Sequence, residues 1–310
     1  MCGIGGLLLN RPGDIGHLLV QMLDGCQHRG PDSTGFALYH TANGSALICR
    51  AYLGCAEDSP EAPALEQSVL AVMAEHGARI IGTRHEAEYL RVEFDYDDDL
   101  KGLSYALTND AAVEVFSIGN RLEVIKDVGT AAEVDGKYGI STFEGTHGIG
   151  HVRLATESVV NVRGSHPFWA YGFNDVAIVH NGQITNYFKM KRRLIKRGFQ
   201  FRTENDSELI AVYLADKMAS GSALDGALED SVKELDGTFS FLVSTSDAIG
   251  FAKDTLAAKP MVVLERDDAV AVASEEVSLQ RLFPGERLST YEPFPGTFKT
   301  WSRSTLETRA

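Results

Sequence analysis

The spacing of apolar residues divides the first part of the chain into strands and a helix. Residues 3–9 form a run rich in Gly and Leu, which predicts a buried strand. Apolar residues then recur at helical spacing over residues 15–23. Residues 34–40 and 45–52 each predict a strand, and the Asn43-Gly44 pair between them predicts a hairpin.

Residues 57–64 are rich in Pro, Ala and acidic residues and mark a boundary. We interpret residues from about 61 to 130, which contain no recognisable motif, as an α+β insertion into a larger core. The His85-Glu86 pair lacks the second histidine of a zinc-protease helix, and the acidic run Asp95 to Asp99 favours a solvated turn over a metal site. The predicted elements here are helices at 65–75 and 100–107 and strands at 80–81, 89–94, 113–118 and 122–125.

Beyond residue 140 strands and helices again come in blocks, not in strict alternation. That order favours an α+β fold in which antiparallel sheets are covered by helices. Residues 291–310 show no clear periodicity and are interpreted as a C-terminal tail. The predicted strands of this part lie at 176–179, 239–244, 261–265 and 269–274, and the helices at 187–197, 207–218 and 224–235.

The composition narrows the choice of partners. The 310 residues include 29 basic and 43 acidic side chains, and the net charge of −14 disfavours binding to nucleic acid or to an anionic membrane. No apolar run approaches the ~20 residues of a transmembrane helix. The four cysteines form no C-x-x-C pair, so we expect no metal site, and reduced thiols suit a cytoplasmic location.

The cysteine at position 2 is the candidate nucleophile of this chain. If Met1 is removed, Cys2 presents a free α-amine and a thiol on one residue, which is a nucleophile with its own base. The amine, with a reference pKa of about 8, can take the thiol proton directly or through a water. The thiolate is then the attacking species. A cysteine at position 2 of an arbitrary protein has no such role, so this hypothesis depends on the motifs that follow.

Five polar motifs follow Cys2 in order. They are Gln27 to Gly35 (QHRGPDSTG), Gly150 to Thr156 (GHVRLAT), His166 to Phe168 (HPF), His180 to Asn186 (HNGQITN) and Thr203 to Glu208 (TENDSE). Each alone is weak, since an Asn-Gly pair usually marks a turn. Together they resemble the class II glutamine amidotransferases, which are N-terminal-nucleophile hydrolases. The resemblance covers residues 2–56 and about 140–280.

The resemblance implies a role for each matching residue in the hydrolysis of L-glutamine. Cys2 is the expected nucleophile, and its α-amine acts first as base and then as acid. Asn181 and Gly182 match the oxyanion hole, with a side-chain and a backbone N–H. Arg153 matches the position that pairs with the α-carboxylate of glutamine. Asp206 matches the position that receives the α-ammonium, and it could also be the N-cap of the helix that follows.

Other matching residues have supporting roles. Thr156 and His166 are expected to line and order the glutamine loop, the alternative being an ordinary strand threonine and a hydrogen-bonded histidine. Arg29 and Gly30 match the segment that braces the nucleophile. Glu157 stands where some members of the family carry histidine, which leaves the edge of the pocket undefined.

The resemblance also implies a fold and a partner. The fold is a four-layer αββα sandwich of antiparallel sheets, with residues 2–290 as one domain that contains the insertion. No cofactor is expected in this chain. Ammonia is expected to pass to a separate synthase subunit of the glutamate-synthase or N-methylglutamate-synthase kind, in which the partner can carry FMN and iron–sulfur clusters.

Two other functions stay open. A free-standing hydrolase of γ-glutamyl amides would need a wider pocket, so Glu157 and the insertion would matter. An inactive scaffolding subunit would result if Met1 stayed attached, because a blocked amine cannot act as the base. The basic helix from Lys189 to Arg197 is most simply a solvated face, with a docking surface for an acidic partner as the alternative.

Overall fold

The computed structural model describes residues 2–41, 44–154 and 160–307. Within these residues the strands pair antiparallel in three sheets. Asn43 of the predicted hairpin and the candidate site residues Thr156 and Glu157 lie outside the described residues. None of the helices in the described part is long and apolar enough to cross a membrane.

The large sheet has Cys2 beside its central strand. Its seven strands are β1 (Gly3–Gly13), β2 (Ser33–Tyr39), β7 (Leu122–Val128), β8 (Gly145–Arg153), β13 (Val262–Glu265), β14 (Ala269–Ala273) and β15 (Thr290–Tyr291). Their spatial order is β15-β13-β14-β1-β8-β2-β7. The strand that follows Cys2 is therefore paired on both sides, and the position of the nucleophile candidate is fixed by the core of the sheet.

A five-stranded sheet packs face to face on the large sheet. Its strands are β9 (Phe168–Trp169), β10 (Ala177–Ile184), β11 (Gly237–Ser244), β12 (Ala248–Lys253) and β16 (Phe298–Ser302), in the spatial order β16-β12-β11-β10-β9. The two sheets are joined by side chains, since Tyr39 Oη lies 2.8 Å from Ser244 Oγ and His147 Nε2 lies 2.7 Å from the Thr245 carbonyl oxygen.

Helices cover the outer face of each sheet. The apolar stripe of α1, which includes Leu19, Met22 and Leu23, is fully buried against the large sheet. The predicted four-layer αββα sandwich is therefore confirmed. The helices on the large sheet are α1 (Ile15–Gly25), α4 (Ala131–Tyr138) and α8 (Glu276–Leu282), and those on the five-stranded sheet are α5 (Tyr187–Lys196), α6 (Asp206–Ala219) and α7 (Leu224–Glu234).

A third sheet lies outside the sandwich. It consists of β3 (Leu47–Tyr52), β4 (Arg79–Glu86), β5 (Tyr89–Asp95) and β6 (Glu114–Gly119), in the order β4-β5-β3-β6, together with α2 (Ala62–Glu75) and α3 (Leu100–Asp110). The predicted hairpin between residues 34–40 and 45–52 is wrong. Both edges of β2 are already paired, with β8 and β7, so β3 joins a different sheet.

The extent of the third sheet differs from the predicted insertion at residues 61–130. β3 precedes residue 61 and yet belongs to the third sheet, whereas β7 at residues 122–128 pairs with β2 in the large sheet. The part of the chain outside the sandwich therefore runs from β3 to β6. Sequence periodicity locates strands but does not say which sheet each one joins.

A buried ion network attaches the third sheet to the large sheet. Glu123 on β7 is 1% exposed and accepts hydrogen bonds from Arg50 on β3 and, at 3.1 Å, from Arg91 on β5. His40 contacts the same carboxylate. Burial alone would raise the pKa of Glu123, but Arg50, His40 and Arg91 hold it well below its ordinary value. The carboxylate is therefore charged and links two sheets.

The predicted C-terminal tail, residues 291–310, instead contains regular structure. β16 pairs with β12 along five residues, and Trp301 on β16 is 3% exposed. The short helix α9 (Arg303–Glu307) follows it. A five-residue edge strand is too short for its alternation to stand out from the sequence, which is why this segment was not predicted.

Candidate active site

Cys2 lies at the end of the two central strands of the large sheet. Gly3, the first residue of β1, pairs with Val152 on β8. The main-chain N–H of Leu154, just beyond β8, donates to Cys2 Sγ at 3.4 Å. The Cys2 side chain is half-buried. The sulfur therefore has a defined position, on a residue that the protein does not fully enclose.

The carbonyl group of Cys2 is held by two predicted site residues. Arg29 Nε donates to this oxygen at 2.9 Å and Asn181 Nδ2 donates to it at 2.7 Å. Arg29 ends a 3₁₀ turn after α1, and its guanidinium forms an ion pair with Glu275 at the start of α8. The main chain of Cys2 is thus clamped between an ion-paired arginine and the strand that carries Asn181.

Two glycines are required by the close packing of the backbone around this clamp. A Cβ added at Gly30 would lie 2.5 Å from the carbonyl carbon of Arg153. Gly182 has a φ of +150°, and its Cβ would lie 2.0 Å from the carbonyl oxygen of Thr238. A residue with a side chain fits neither position. The structure thereby explains why glycine stands at both of these predicted positions.

Arg153 ends β8 and is buried. Its guanidinium reaches the segment that follows, since a Cβ added at Gly164 would lie 3.7 Å from Nη1 of Arg153. The carbonyl oxygen of Gly164 is also 3.5 Å from Asn205 Nδ2. We call residues 160–167 the His166 loop. This loop lies between Arg153 and the turn that precedes α6.

Asp206 is the first residue of α6, and its carboxylate contacts β10. Asp206 Oδ2 accepts the main-chain N–H of Ile184 at 2.9 Å. The predicted N-cap role for Asp206 is wrong, because Asn205 is the N-cap and its side-chain oxygen accepts the N–H of Ser207 at 2.9 Å. Burial raises the pKa of Asp206, but His180 and the backbone donors outweigh burial and lower it. The site therefore holds a carboxylate anion.

Three buried histidines connect β8, β10 and α6. The ring of His166 stacks on that of His151, with centroids 4.0 Å apart. The main-chain N–H of His180 donates to His166 Nδ1 at 3.2 Å. Ser207 Oγ lies 3.1 Å from His166 Nε2 and 3.0 Å from His180 Nδ1. The His166 loop is therefore tied to the helix that begins with Asp206.

Burial keeps two of these histidines uncharged. It lowers the pKa of His151 to about 3, and it holds the pKa of His166 well below its ordinary value, with the other two histidines adding to that effect. His166 is 6% exposed. It therefore orders the loop from the inside, as an uncharged ring at neutral pH.

Glu208 fixes the turn that leads into α6. Its Oε1 accepts the N–H of Arg202 at 2.7 Å, and its Oε2 accepts the N–H and the hydroxyl of Thr203 at 2.8 and 2.7 Å. Burial raises the pKa of Glu208 in spite of these donors. Because the turn is held from below by three hydrogen bonds, the position of Asp206 is set by the core of the protein.

The predicted site residues in the described part fall into two connected groups. One group surrounds the Cys2 carbonyl and the end of β8, and the other gathers at β10 and the start of α6. Asn181 and Gly182 on β10 belong to both. The first group is Cys2, Arg29, Gly30 and Arg153, and the second is His166 and Asp206.

Sequence reasoning missed five residues that build the site. Four of them stand next to a predicted site residue or inside its motif, and that adjacency was the available signal: His151, His180, Ser207 and Glu208. Glu275 lies outside all five motifs, far along the chain from Arg29. Only the fold brings these two residues together.

Comparison with known proteins gives a consistent result. A family model described as a glutamine amidotransferase domain matches residues 151–281. A protein from Methanothermobacter thermautotrophicus, named as a candidate glutamine amidotransferase, is 39% identical over 300 residues, which cover 94% of this chain and 97% of that protein. The glutamine amidotransferase-like protein GlxB of Rhizobium meliloti is 36% identical over 97% of this chain and 98% of its own length.

The chain belongs to the class II glutamine amidotransferase family. This amidotransferase is therefore an enzyme of the kind that acts on the amide of glutamine. The glutamine phosphoribosylpyrophosphate amidotransferase of B. subtilis superposes on 97% of the chain with a TM-score of 0.60 at 20% identity. At that identity the likeness shows the fold alone. The superposed part amounts to 49% of the B. subtilis chain.

Proposed function

We propose that this amidotransferase hydrolyses L-glutamine to glutamate and ammonia through a thioester on Cys2. The observation that carries the proposal is the hydrogen bond between Asn181 and the Cys2 carbonyl. It joins the expected nucleophile to the expected oxyanion hole, at the half-buried end of the central strand. The matching motifs and the relatives support the assignment of glutamine as the substrate.

The first half of the reaction would consume the amide. After removal of Met1, the α-amine of Cys2 takes the thiol proton and the thiolate attacks the side-chain carbonyl carbon of glutamine. An amide nitrogen carries two hydrogens, so Asn181 can hold the Cys2 carbonyl with one and stabilise the oxyanion with the other. With the N–H of Gly182 it would form the oxyanion hole, in which each donor is worth about 3 kcal/mol.

The second half would release the products. The C–N bond breaks and ammonia leaves with the proton that the Cys2 amine had taken. Water then gives a proton to the same amine and attacks the thioester carbonyl. The C–S bond breaks, glutamate is released, and the thiol of Cys2 recovers its proton. Each step moves protons and electron pairs only, so no redox partner is required.

Two charged residues would select a free amino acid over a simple amide. Arg153 would bind the α-carboxylate of glutamine and Asp206 its α-ammonium. The lowered pKa of Asp206 supports this role, because the carboxylate keeps its charge at neutral pH. Thr156 and His166 would order the surrounding loop.

We also propose that the ammonia passes to a separate synthase subunit in the cytoplasm. The support is the resemblance to subunits of glutamate-synthase-related systems, including N-methylglutamate synthase. The partner would carry the FMN and iron–sulfur clusters that such a synthesis uses, while this chain supplies ammonia without a cofactor of its own.

The test is the intact mass of the purified protein before and after treatment with 6-diazo-5-oxo-L-norleucine, a diazoketone analogue of glutamine. We expect loss of Met1 and one covalent adduct in the wild type and in the control Cys55→Ala, and no adduct in Cys2→Ala. Retained Met1, or an adduct that persists in Cys2→Ala, would overturn the proposal. Preferential hydrolysis of γ-glutamyl amides in a substrate panel would favour the free-standing hydrolase.

A further inference from the structure

A buried lysine forms hydrogen bonds to the backbone of the His166 loop. Lys126 on β7 is 3% exposed, and its Nζ donates to the carbonyl oxygens of Ser165 at 2.7 Å and Pro167 at 3.3 Å. These two carbonyl groups belong to the residues on either side of His166. One ammonium group therefore fixes the backbone on both sides of the histidine.

The surroundings of Lys126 combine aromatic faces with distant charges. Its Nζ lies 4.3 Å from the ring centroid of Phe116 and 4.8 Å from that of Phe168. Burial is the largest influence and lowers the pKa of Lys126 to about 7, against the attraction of Glu114 and Glu208. The cation thus lies between the third sheet, which carries Phe116, and the sandwich, which carries Phe168.

The third sheet grips the same region at a second point. Glu114 on β6 forms ion pairs with Arg163 in the His166 loop at 3.4 Å and with Arg202 in the turn before α6 at 3.3 Å. The hydroxyl of Tyr171, just after β9, donates to the Val115 carbonyl at 2.7 Å. The loop and the turn are therefore attached to one strand of the third sheet.

Both attached segments meet the first turn of α6, which begins with Asp206. The His166 loop reaches α6 through the contact between His166 and Ser207, and the turn enters α6 directly. We propose that Lys126 is a positioning residue for glutamine binding, which together with Glu114 of the third sheet holds the His166 loop against α6. This inference rests on the proposed function, because it concerns the same pocket.

The charge on Lys126 sets the strength of this hold. A protonated amine makes charge-assisted hydrogen bonds to the two carbonyl groups, and these weaken when the proton is lost. The groups that face Lys126 are Glu114 from β6, Glu208 from α6, Arg153 from β8 and His166 from the loop. Of these, the two carboxylates favour the charged lysine. Because Lys126 loses its proton as the pH rises through about 7, the affinity for glutamine should fall over that range.

The test compares wild type, Lys126→Met and the control Lys233→Met, which replaces an exposed lysine on α7. The readout is the concentration of 6-diazo-5-oxo-L-norleucine that gives half the maximal rate of Cys2 labelling, from pH 6 to 8.5. For Lys126→Met we expect a value about tenfold higher at pH 6.5, as for one lost charge-assisted hydrogen bond. In Lys126→Met this half-saturating concentration should be independent of pH, whereas in the wild type and in Lys233→Met it should rise with pH.

Iodoacetamide separates the two levels of the inference. It is too small to need the glutamine contacts, so its rate with Cys2 should be the same in Lys126→Met and wild type. An equal half-saturating concentration with an unchanged pH profile in Lys126→Met would overturn the role of Lys126 and leave the proposed function intact. A wild type that reacts with iodoacetamide but not with the diazoketone would overturn both.

A second variant keeps the inference testable if Lys126→Met does not fold. Glu114→Gln removes one of the charges that favour protonated Lys126. The pH at which diazoketone affinity falls should therefore move to a lower value than in the wild type. An unshifted pH dependence in a folded Glu114→Gln protein would overturn the role of Lys126.

Discussion

The side-chain amide of Asn181 donates a 2.7 Å hydrogen bond to the main-chain carbonyl of Cys2. The two residues are 179 positions apart in sequence. Asn181 lies on the five-stranded sheet, and Cys2 immediately precedes β1 of the large sheet. A change at Asn181 therefore alters the expected oxyanion hole and the position of the expected nucleophile together.

We expect Asn181→Ala to lower kcat for glutamine about 100-fold with little change in KM, because an oxyanion donor acts on the transition state. Steady-state assays of glutamate release would measure this. The control Asn174→Ala, at an exposed asparagine in the turn between β9 and β10, should have wild-type kinetics. An increase in KM alone would mean that Asn181 binds the ground state.

Glu275 should matter because it holds Arg29, which in turn holds the Cys2 carbonyl. For Glu275→Gln we expect kcat to fall about tenfold, comparable to one weakened hydrogen bond to a charged group, with KM unchanged. The matched control is Glu276→Gln, at the next residue, which is exposed and contacts Gln280 and Thr290. Equal kcat in Glu275→Gln and wild type would contradict this chain of contacts.

Asp206→Asn should discriminate between substrates. Loss of the carboxylate is expected to raise KM for glutamine about 30-fold, the lower range for removing one partner of a buried charge pair. An analogue without the α-amino group, 4-carbamoylbutanoate, has no ammonium to lose, and its KM should be nearly unchanged. The ratio of the two effects is the measurement. A parallel loss for both substrates would assign Asp206 a structural role only.

Glu123→Gln should weaken the folded state in a pH-dependent way. The folded pKa of Glu123 is depressed, so its charge stabilises the fold at neutral pH, and this contribution is lost as the pH falls below about 4. At pH 7 we expect Glu123→Gln to lower the free energy of unfolding by about 3–5 kcal/mol, as for a broken buried ion pair.

Urea unfolding at pH 7 and at pH 3.5 would measure this effect, and the difference between wild type and Glu123→Gln should be smaller at the acidic pH. The control is Glu93→Gln, because Glu93 lies 3.7 Å from Arg91 but is half-buried. Its loss should cost less than about 1 kcal/mol, because the pair is partly accessible to solvent and its charges are 3.7 Å apart. A difference for Glu123→Gln that did not depend on pH would show that packing, not charge, is responsible.

The sequence predicted where the helices and strands of the candidate site lie along the chain better than it predicted how they pair and pack. The helical spacing over residues 15–23 and the apolar run before Asn181 correspond to α1 and β10. Their signals are local, since a buried face repeats every few residues along the chain. The order of the motifs indicated the family resemblance, and that resemblance predicted the fold in which these elements pack together.

What the sequence did not show are contacts made across the fold. The Asn43-Gly44 pair indicated a hairpin, but strand pairing depends on which edges are already occupied, and both edges of β2 are. Lys126 and Glu275 lie in no motif, and their partners are about 40 and 246 residues away. A charged residue that holds other parts of the fold looks the same in a single sequence as a solvated one until its surroundings are known.

Two buried charged residues of β7, Glu123 and Lys126, help to attach the third sheet to the rest of the molecule. Glu123 joins it to the arginines of β3 and β5, and Lys126 lies under the ring of Phe116 on β6. Changes in the third sheet thus have two separate routes to the sandwich, one to stability and one to the loop beside the nucleophile. Substrate affinity could then evolve through residues that never touch the substrate, while the residues around Cys2 stay the same.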